Sequence, residues 1–151
     1  MDPKEVEKIS KINNYIFLGA GAHAQKLTQP FLDLQIDIVI NCAQEIRYPN
    51  DYLLPIHSFP LESGQDASIL EFIDDFEETL TKLLIEKKKV YIHCDYGISR
   101  APALLIYYLM HNECPTYDAA FDLIKEIRPI IELSDNFKLE LDIIDSLSAF
   151  D

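Results

Sequence analysis

The stretch from Val90 to Met110 places the strongest constraint on the fold of this chain. Val90, Tyr91 and Ile92 form a short apolar run after a charged segment, which is typical of a strand buried on both faces. A polar loop follows, and the segment from Pro102 to Met110 is then apolar nearly all round, which predicts a helix in the middle of a core. A buried strand that leads directly into a buried helix indicates a layered α/β domain.

The rest of the chain alternates between strand-like and helix-like patterns. Short apolar runs predict strands, and apolar residues at three- and four-residue steps predict amphipathic helices. The predicted strands are Tyr15 to Gly19, Ile36 to Ile40, and Tyr52 to Ile56, the last weakened by Pro55. The predicted helices are Ile69 to Leu84 behind a capping box of Ser68 and Glu71, Thr116 to Ile127, and Ser134 to Leu147 with Ser134 as N-cap. We therefore predict an α/β fold, a single domain with a central, mostly parallel sheet flanked by helices.

Length and charge limit the organisation and the partners of the chain. We expect one domain over residues 1–151, with an ordered core over about 10–148, because no repeat, linker or shift in composition divides the sequence. The formal charge of −13 disfavours binding to nucleic acid or to an anionic membrane. No apolar run approaches the roughly 20 residues of a membrane span, and the start lacks a signal-peptide core. We expect a soluble monomer of the cytoplasm, with the nucleus as the alternative.

The polar loop between the predicted strand and helix carries the candidate active site. Cys94 stands at its base, where backbone N–H groups and the helix dipole can cradle an anion of phosphate size. The same field lowers the pKa of a thiol, so Cys94 is predicted to be a thiolate nucleophile. Arg100 can bind two phosphate oxygens at once, and Gly97 permits the positive φ of a tight curl. The predicted phosphate-binding residues are Asp95, Tyr96, Gly97, Ile98, Ser99 and Arg100.

Two interpretations of Cys94 compete. A lone cysteine at the end of a strand is more often a small buried side chain than a nucleophile. A histidine, the cysteine, five residues that include a glycine, and an arginine, placed between a strand and a helix, rarely arise from packing alone. We therefore interpret the loop as a site where sulfur attacks a phosphate monoester.

The H-C-x5-R motif from His93 to Arg100 resembles that of the cysteine-dependent protein phosphatases, and within them the compact dual-specificity phosphatases. Further segments resemble this family in the same order: Ile16 to Ala20, Ile38 to Ala43, Phe59 to Leu61 with the helix from Ile69, and Arg128 to Ile130. Three other kinds of protein carry a similar loop but fit this chain less well. Low-molecular-weight phosphatases and arsenate reductases carry it near the N-terminus. Rhodanese-like folds differ in the flanking segments, and the large tyrosine-specific phosphatases have longer catalytic domains. The resemblance implies a dual-specificity phosphatase-like fold and hydrolysis of phosphotyrosine and phosphoserine or phosphothreonine through a cysteinyl phosphate.

Two positions of the family pattern are filled differently here. By this resemblance, Ser63 occupies the position of the aspartate that protonates the leaving oxygen, and a serine cannot act as that acid. Asp66 is the candidate general acid and Glu62 an alternative, although either can be a solvated loop residue. Ala101 replaces the usual Ser or Thr that assists release of the phosphoenzyme, with Ser99 as the hydroxyl nearby. The resemblance thus implies a slow phosphatase, or alternatively a weakened module that binds phosphorylated partners.

The remaining polar residues bear on cofactors and substrate. No cofactor or metal is expected, because His23, His57 and His111 lack the spacing of metal ligands. The expected partner is a phosphorylated protein, since Asp95 and the overall charge disfavour phosphoinositide head groups and RNA ends. His93 is predicted to hold the loop by hydrogen bonds rather than to act as a base.

The three cysteines lack the C-x-x-C spacing of zinc or redox sites, so thiols in a reducing compartment are expected. In the lipid-phosphatase branch of the family that the chain resembles, a cysteine at a similar strand end pairs with the nucleophile when it is oxidised. This resemblance implies a reversible disulfide between Cys42 and Cys94. Cys114 is given no functional role.

Overall fold

A computed structural model describes residues 2–148 of the chain. One sheet contains five strands, β1 (Ser10–Lys11), β2 (Ile16–Ala20), β3 (Ile38–Asn41), β4 (Ile56–Ser58) and β5 (Val90–Cys94). Their order across the sheet is β1-β2-β5-β3-β4, with β1 antiparallel to β2 and the other pairs parallel. The prediction of an α/β domain with a mostly parallel sheet is confirmed.

Helices cover both faces of this sheet. They are α1 (Pro3–Glu7), α2 (Gly21–Lys26), α3 (Gln29–Leu32), α4 (Ile73–Ile85), α5 (Arg100–Asn112), α6 (Tyr117–Ile127) and α7 (Asp135–Ser148). On one face α5 packs against β5 and is surrounded by α4, α6 and α7. On the other face, Ala24 of α2 and Phe31 of α3 join a smaller apolar cluster with Tyr91. None of the helices in residues 2–148 is long and apolar enough to cross a membrane.

The predicted central unit of buried strand and buried helix is confirmed. Every residue of β5 is buried, and β5 pairs with β2 on one side and β3 on the other. In α5, the residues from Arg100 to Leu109 are all buried. Because the strand continues to Cys94, two residues further than its apolar run, it delivers that cysteine to the carboxyl end of the sheet.

Pro55 accounts for a wrong strand boundary. The strand predicted over Tyr52 to Ile56 is instead β4, which begins only at Ile56. Proline has no N–H to donate, so it cannot continue a ladder on both sides. Its carbonyl still accepts a hydrogen bond from the Val39 N–H at 3.0 Å and leads the chain into the pairing with β3.

Two of the predicted helix caps are wrong. Helix α4 begins at Ile73 rather than Ile69, and the Ser68 hydroxyl donates to Glu140 on α7 at 2.5 Å. The buried Ser134 hydroxyl has no partner within residues 2–148, so it does not cap α7. Thr116 does cap α6, because its hydroxyl accepts from the Ala119 N–H at 3.1 Å. A tertiary contact therefore replaces the predicted cap at Ser68, and of the three sites only Thr116 caps its helix through its side chain.

The N-terminal segment is more structured than the sequence predicted. Residues before the expected core, which was placed from about residue 10, form α1, capped by the Asp2 side chain. Strand β1 then pairs with β2, with Ser10 opposite Leu18. Helices α2 and α3 were also missed, because helices this short carry too few residues for a hydrophobic period to show.

Candidate active site

Cys94 lies at the base of a closed backbone loop. Its side chain is fully buried at the end of β5, and the backbone N–H groups of Ala101 and Gly97 donate hydrogen bonds to its sulfur. Gly97 has φ of +70°, and a Cβ there would lie 2.7 Å from the carbonyl oxygen of Gly19. Glycine is therefore required at this position both by backbone conformation and by space, as the sequence predicted.

His93 fixes the strand end from which Cys94 projects. Its Nδ1–H donates to the Cys94 carbonyl at 2.7 Å, and its Nε2 accepts from the Tyr48 hydroxyl at 2.8 Å. Burial lowers the pKa of His93 to about 4, so the ring is neutral near pH 7. This arrangement agrees with a histidine that holds the loop and does not act as a base.

Arg128 supports the loop from beneath. Its side chain is 1% exposed and donates to two loop carbonyls, those of Gly97 and Tyr96, both at 2.8 Å. It also donates to three acceptors in the N-terminal segment, the Val6 carbonyl, the Lys8 carbonyl and the Ser10 hydroxyl. One buried guanidinium thus ties the N-terminus of the chain to the phosphate-sized cradle.

Arg100, at the first turn of α5, is held in one orientation by Glu45. The carboxylate accepts from Arg100 Nη1 at 2.6 Å and from Nη2 at 2.5 Å, and the Leu61 carbonyl accepts from Nη1 at 3.0 Å. These hydrogen bonds hold the pKa of Glu45 below its usual value. Because Nη1 is fully used, the edge formed by Nε and Nη2 is the one left to bind an oxyanion. Asp95 Oδ2 lies 3.4 Å from Nη2 and competes for that edge.

Burial and the neighbouring groups act on the pKa of Cys94 in opposite directions. Complete burial raises the pKa of the thiol, the backbone N–H of Ala101 lowers it, and the Asp95 carboxylate raises it further. Arg100 opposes these effects, but Glu45 neutralises much of its charge. The net effect raises the pKa of Cys94 above the usual value of a thiol. The thiolate nucleophile predicted from the sequence stays a prediction.

The loop opens into a cleft of about 390 Å³. Arg100, Ser99, Ile98, Tyr96 and Asp95 line one side of it. The other side consists of Ser63, Gly64 and Gln65 from the loop before α4, and of Glu132, Leu133, Ser134, Asp135, Phe137 and Lys138 at the start of α7. Five of the six predicted phosphate-binding residues thus line one cavity, and Gly97 lies in the loop between them.

The candidate acids are placed differently from Ser63. Ser63 lines the cleft, whereas Asp66 and Glu62 line a separate depression beside Phe72. The segment is fixed there, because the Asp135 N–H donates to the Gln65 side chain at 2.7 Å. The role of Asp66 as general acid therefore stays a prediction, and it requires this segment to move.

Positions 99 and 101, where a hydroxyl could act near Cys94, differ in what they contribute. Ala101 contributes its backbone N–H to Cys94 but no side-chain donor. Ser99 accepts a hydrogen bond from the Ser134 N–H at 3.0 Å, so its oxygen joins the loop to the start of α7. This contact is structural and does not replace the missing hydroxyl at position 101.

Cys42 lies beside Cys94 at the carboxyl end of the sheet. The register pairs Asn41 with His93, and the Cys42 N–H donates to the His93 carbonyl at 2.7 Å, which extends the parallel register to Cys42 and Cys94. Both thiols are free and fully buried. Burial, followed by repulsion from Cys94, raises the pKa of Cys42 well above its usual value.

The sequence analysis missed Glu45 as part of the site. No motif spacing identifies it, because it contacts Arg100 across 55 positions of sequence. The available signal is topological: Glu45 follows β3 at the carboxyl end of a parallel strand, the edge at which ligand sites of open α/β sheets form. Within residues 2–148, no group of three or more His, Cys, Asp or Glu side chains could hold a metal ion.

The fold is thus an α/β domain in which a tight loop joins Cys94, at the carboxyl end of β5, to the buried Arg100 at the start of α5. Residues 16–144 match the family model described as "Dual specificity phosphatase, catalytic domain". The chain belongs to the dual specificity phosphatase family, which confirms the family that its motif resembled.

Known proteins of this family are similar over most of the chain. Dual specificity protein phosphatase 2 from Homo sapiens is 28% identical over 127 residues, and dual specificity protein phosphatase 1 from Mus musculus is 25% identical over 134 residues. These matches cover 84% and 87% of this chain but only 40% and 35% of the relatives. The chain therefore spans somewhat more than a third of the length of these relatives.

Solved structures share the fold. The human tyrosine phosphatase-like serine/threonine/tyrosine-interacting protein has a TM-score of 0.81 at 24% identity, covering 93% of this chain and 97% of that one. A leucine rich repeat and phosphatase domain containing protein from Entamoeba histolytica has a TM-score of 0.78 at 19% identity, covering 95% and 94%. At these identities the likeness shows the fold alone.

Proposed function

We propose that this chain is a protein phosphatase that hydrolyses phosphate monoesters through a cysteinyl-phosphate intermediate on Cys94. The observation that carries the proposal is that β5 and the loop after it bring together the buried sulfur of Cys94, the backbone N–H groups of Gly97 and Ala101, and Arg100, which lines the cleft. A nucleophile, an anion site and an oriented guanidinium within one loop are what phosphoryl transfer to sulfur needs.

In the first step, the phosphate of the substrate enters the cradle and displaces Asp95 from the Nη2 edge of Arg100. The Cys94 thiolate attacks phosphorus in line, the S–P bond forms, and the P–O bond to the tyrosyl, seryl or threonyl oxygen breaks. Backbone N–H groups of the loop and Arg100 stabilise the charge on the three equatorial oxygens. The leaving oxygen takes a proton from an acid or from water.

In the second step, water attacks the cysteinyl phosphate, the S–P bond breaks, and inorganic phosphate and the thiolate are released. Both steps are slowed by features of this chain. Ser63 offers no acidic proton at the cleft, and Ala101 offers no hydroxyl to the leaving sulfur. A missing general acid costs about 10²- to 10⁴-fold, and more for poor leaving groups such as phosphoserine than for phosphotyrosine.

The charge around the cradle supports a phosphoprotein substrate. Asp95, Glu132 and Asp135 line the cleft, and the chain as a whole carries a formal charge of −13. Multiply charged lipid head groups and RNA ends are repelled by such a field, whereas one phosphorylated side chain presents a single dianion. We assign no cofactor to this chemistry.

A second candidate function is a module that binds phosphorylated partners without turnover. Three observations favour it: a raised Cys94 pKa, Ser63 in place of an acid, and Asp66 outside the cleft. All three weaken catalysis and leave the cradle and Arg100 intact. The name of the human structural relative, "tyrosine phosphatase-like" and "interacting", is consistent with such a role for a protein of this fold.

Phosphate release from para-nitrophenyl phosphate, phosphotyrosine peptides and phosphothreonine peptides separates the two functions. The wild-type protein is assayed between about pH 5 and pH 8, the range in which thiol and carboxyl groups of such sites ionise. Turnover of the aryl phosphate and of at least one peptide supports the phosphatase. Peptide binding measured by calorimetry, without any turnover, would contradict the phosphatase and support the binding module.

Asp95→Asn is expected to shift the pH profile of kcat/KM. The Asp95 carboxylate raises the pKa of Cys94, so its removal lowers that pKa, and the limb that rises as the thiolate forms moves to lower pH. We also expect tighter phosphate binding, because Nη2 loses a competitor. Glu132→Gln, which removes another acid from the cleft, is the control. Equal shifts in both variants would contradict a specific effect of Asp95.

Ser63→Asp is expected to raise kcat for a phosphoserine peptide by about tenfold, because it places a carboxyl group in the cleft lining where the leaving oxygen departs. The pH profile should gain a falling limb as this acid deprotonates. Asp66→Asn tests the alternative acid in the same assay. If Asp66→Asn removes a falling limb from the wild-type profile while Ser63→Asp gives no gain, Asp66 is the acid.

Hydrogen peroxide is expected to join Cys42 and Cys94. Peroxide oxidises one thiol to a sulfenic acid, the other attacks it, and water leaves, so the protein loses two hydrogens. The parallel register supports this reaction, since adjacent strands lie about 4.8 Å apart and disulfides span Cα distances of roughly 4.4–6.8 Å. Intact mass should fall by two hydrogens in the wild type and in Cys114→Ser, but not in Cys42→Ser. The same loss in Cys42→Ser would contradict the pairing.

A further inference from the structure

Helix α7 exposes a stripe of large apolar side chains. Leu139, Ile143 and Leu147 are 57%, 50% and 63% exposed, and they follow one another at four-residue steps. Residues at this spacing lie on the same side of a helix, and the three span about 12 Å along its axis. The buried side of α7 is a different one, made by Phe137 and Leu141.

The stripe continues onto the loop before α4. On α7, Asn136 donates to the Ala67 carbonyl at 2.9 Å, and Glu140 accepts from the Ile69 N–H at 2.9 Å. Each of these polar residues precedes a stripe residue by three positions, so the loop runs along the same side of the helix. Leu70, which follows directly, is 53% exposed. We call the set of Leu70, Leu139, Ile143 and Leu147 the apolar patch.

The apolar patch begins at the cleft. Lys138, the neighbour of Leu139, lines the cavity that contains Arg100, as do Asp135 and Phe137 in the first turn of α7. Gln65, in the loop before α4, also lines the cavity, and its side chain accepts a hydrogen bond from the first residue of α7. A chain segment that covers the patch therefore lies next to a phosphorylated residue in the cleft.

Acidic residues border the apolar patch on both sides. Asp142, three positions after Leu139, lies on the neighbouring side of α7, and Asp66 and Glu71 lie on the loop. Together with a formal charge of −13 for the whole chain, they give this surface a negative field. Charge complementarity therefore favours a basic partner, and it disfavours a second copy of this chain, which would bring the same acids together.

We infer that the apolar patch is a docking surface for a basic amphipathic segment of the phosphoprotein substrate. Leucine-like side chains of that segment pack on the patch, and its lysines or arginines face the flanking acids. The inference rests on the proposed phosphatase function, because docking serves to raise the local concentration of the phosphorylated residue at the cleft.

Tethered phosphopeptides test this inference. The first peptide contains phosphotyrosine alone. The second adds a spacer of about six residues and a segment of about fourteen residues with leucines at helical spacing among lysines. The third carries the same segment scrambled. We expect the second peptide to have a KM about tenfold below that of the other two, because its segment binds in an intramolecular step.

Two variants of exposed isoleucines show whether the patch causes the difference. Ile143→Ser, in the patch, should remove most of the tenfold gain, since a few central apolar anchors carry most docking energy. Ile85→Ser removes a 76% exposed isoleucine from the far end of α4 and should leave the gain intact. Neither variant should change kcat/KM for para-nitrophenyl phosphate, because neither side chain lines the cleft.

The outcomes of docking and catalysis can be told apart. Equal KM values for all three peptides, or a scrambled segment as effective as the ordered one, would overturn the docking surface while aryl phosphate turnover upholds the phosphatase. If no substrate turns over, fluorescence anisotropy of the labelled leucine–lysine segment measures docking directly. Binding that Ile143→Ser abolishes then supports the surface, and its absence overturns it. A wild-type dimer that Ile143→Ser dissociates would also overturn the inference.

Discussion

Cys94→Ser is expected to lower kcat for para-nitrophenyl phosphate by on the order of 10⁴-fold or more. A serine hydroxyl ionises far above neutral pH, and the backbone N–H groups of Gly97 and Ala101 cannot make it a comparable nucleophile. Those groups and Arg100 remain in place, so phosphopeptide binding should persist within a few fold. Steady-state kinetics and calorimetry on the same preparation measure both quantities.

Cys114→Ser is the matched control for this substitution, because Cys114 is also a free thiol but lies outside the cleft. Its kinetics should equal those of the wild type. Substantial turnover by Cys94→Ser would show that another group, or water, attacks phosphorus. A loss of peptide binding in Cys94→Ser would show that the sulfur, rather than the cradle, holds the phosphate.

Arg128→Met is expected to lower the free energy of unfolding by several kcal/mol, because each buried acceptor left without its donor costs about 1–3 kcal/mol. Methionine fills part of the space but leaves five oxygen acceptors without their donor, those of Val6, Lys8, Ser10, Tyr96 and Gly97. For a chain of this size, the melting temperature should fall by roughly 10 °C. Differential scanning calorimetry measures the change.

Arg47→Met removes the same charge from an exposed position and should leave the melting temperature within about 2 °C of the wild type. The contribution of Arg128 to the loop can be measured separately, through the KM for aryl phosphate. Because Arg128 holds the carbonyls of Tyr96 and Gly97, the variant should also raise the KM for aryl phosphate at temperatures where it remains folded. An unchanged melting temperature would contradict the role assigned to Arg128.

The part of the fold that follows from local pattern could be predicted from the sequence. Residues 90–94 and α5 were identified because an apolar strand and an all-round apolar helix allow only a central position. Gly97 and His93 were assigned correctly, since a tight curl and a strand end impose their requirements on nearby residues. These features depend on interactions within about ten residues of sequence.

The features that sequence reasoning missed depend on distant contacts. Glu45 meets Arg100 across 55 positions, and Arg128 reaches Val6 across 122. The Ser68 hydroxyl bonds Glu140 instead of capping α4, because that contact satisfies a partly buried carboxylate. Asp66 has the chemistry of an acid but lines a separate depression, and Gln65 holds its segment against α7, so its role as general acid stays a prediction. No local sequence pattern predicts these long-range contacts.

Rapid quenching of the wild-type protein during turnover of para-nitrophenyl phosphate tests whether Cys94 carries the phosphoryl group. Acid quench within the first turnover, followed by proteolysis and mass spectrometry under conditions that preserve thiophosphate esters, locates any covalent phosphate. We expect one phosphoryl group on the peptide that contains Cys94. This intermediate should accumulate because Ala101 slows its release. Turnover with no phosphoryl group on Cys94 at any quench time, or with the group on another residue, would contradict it.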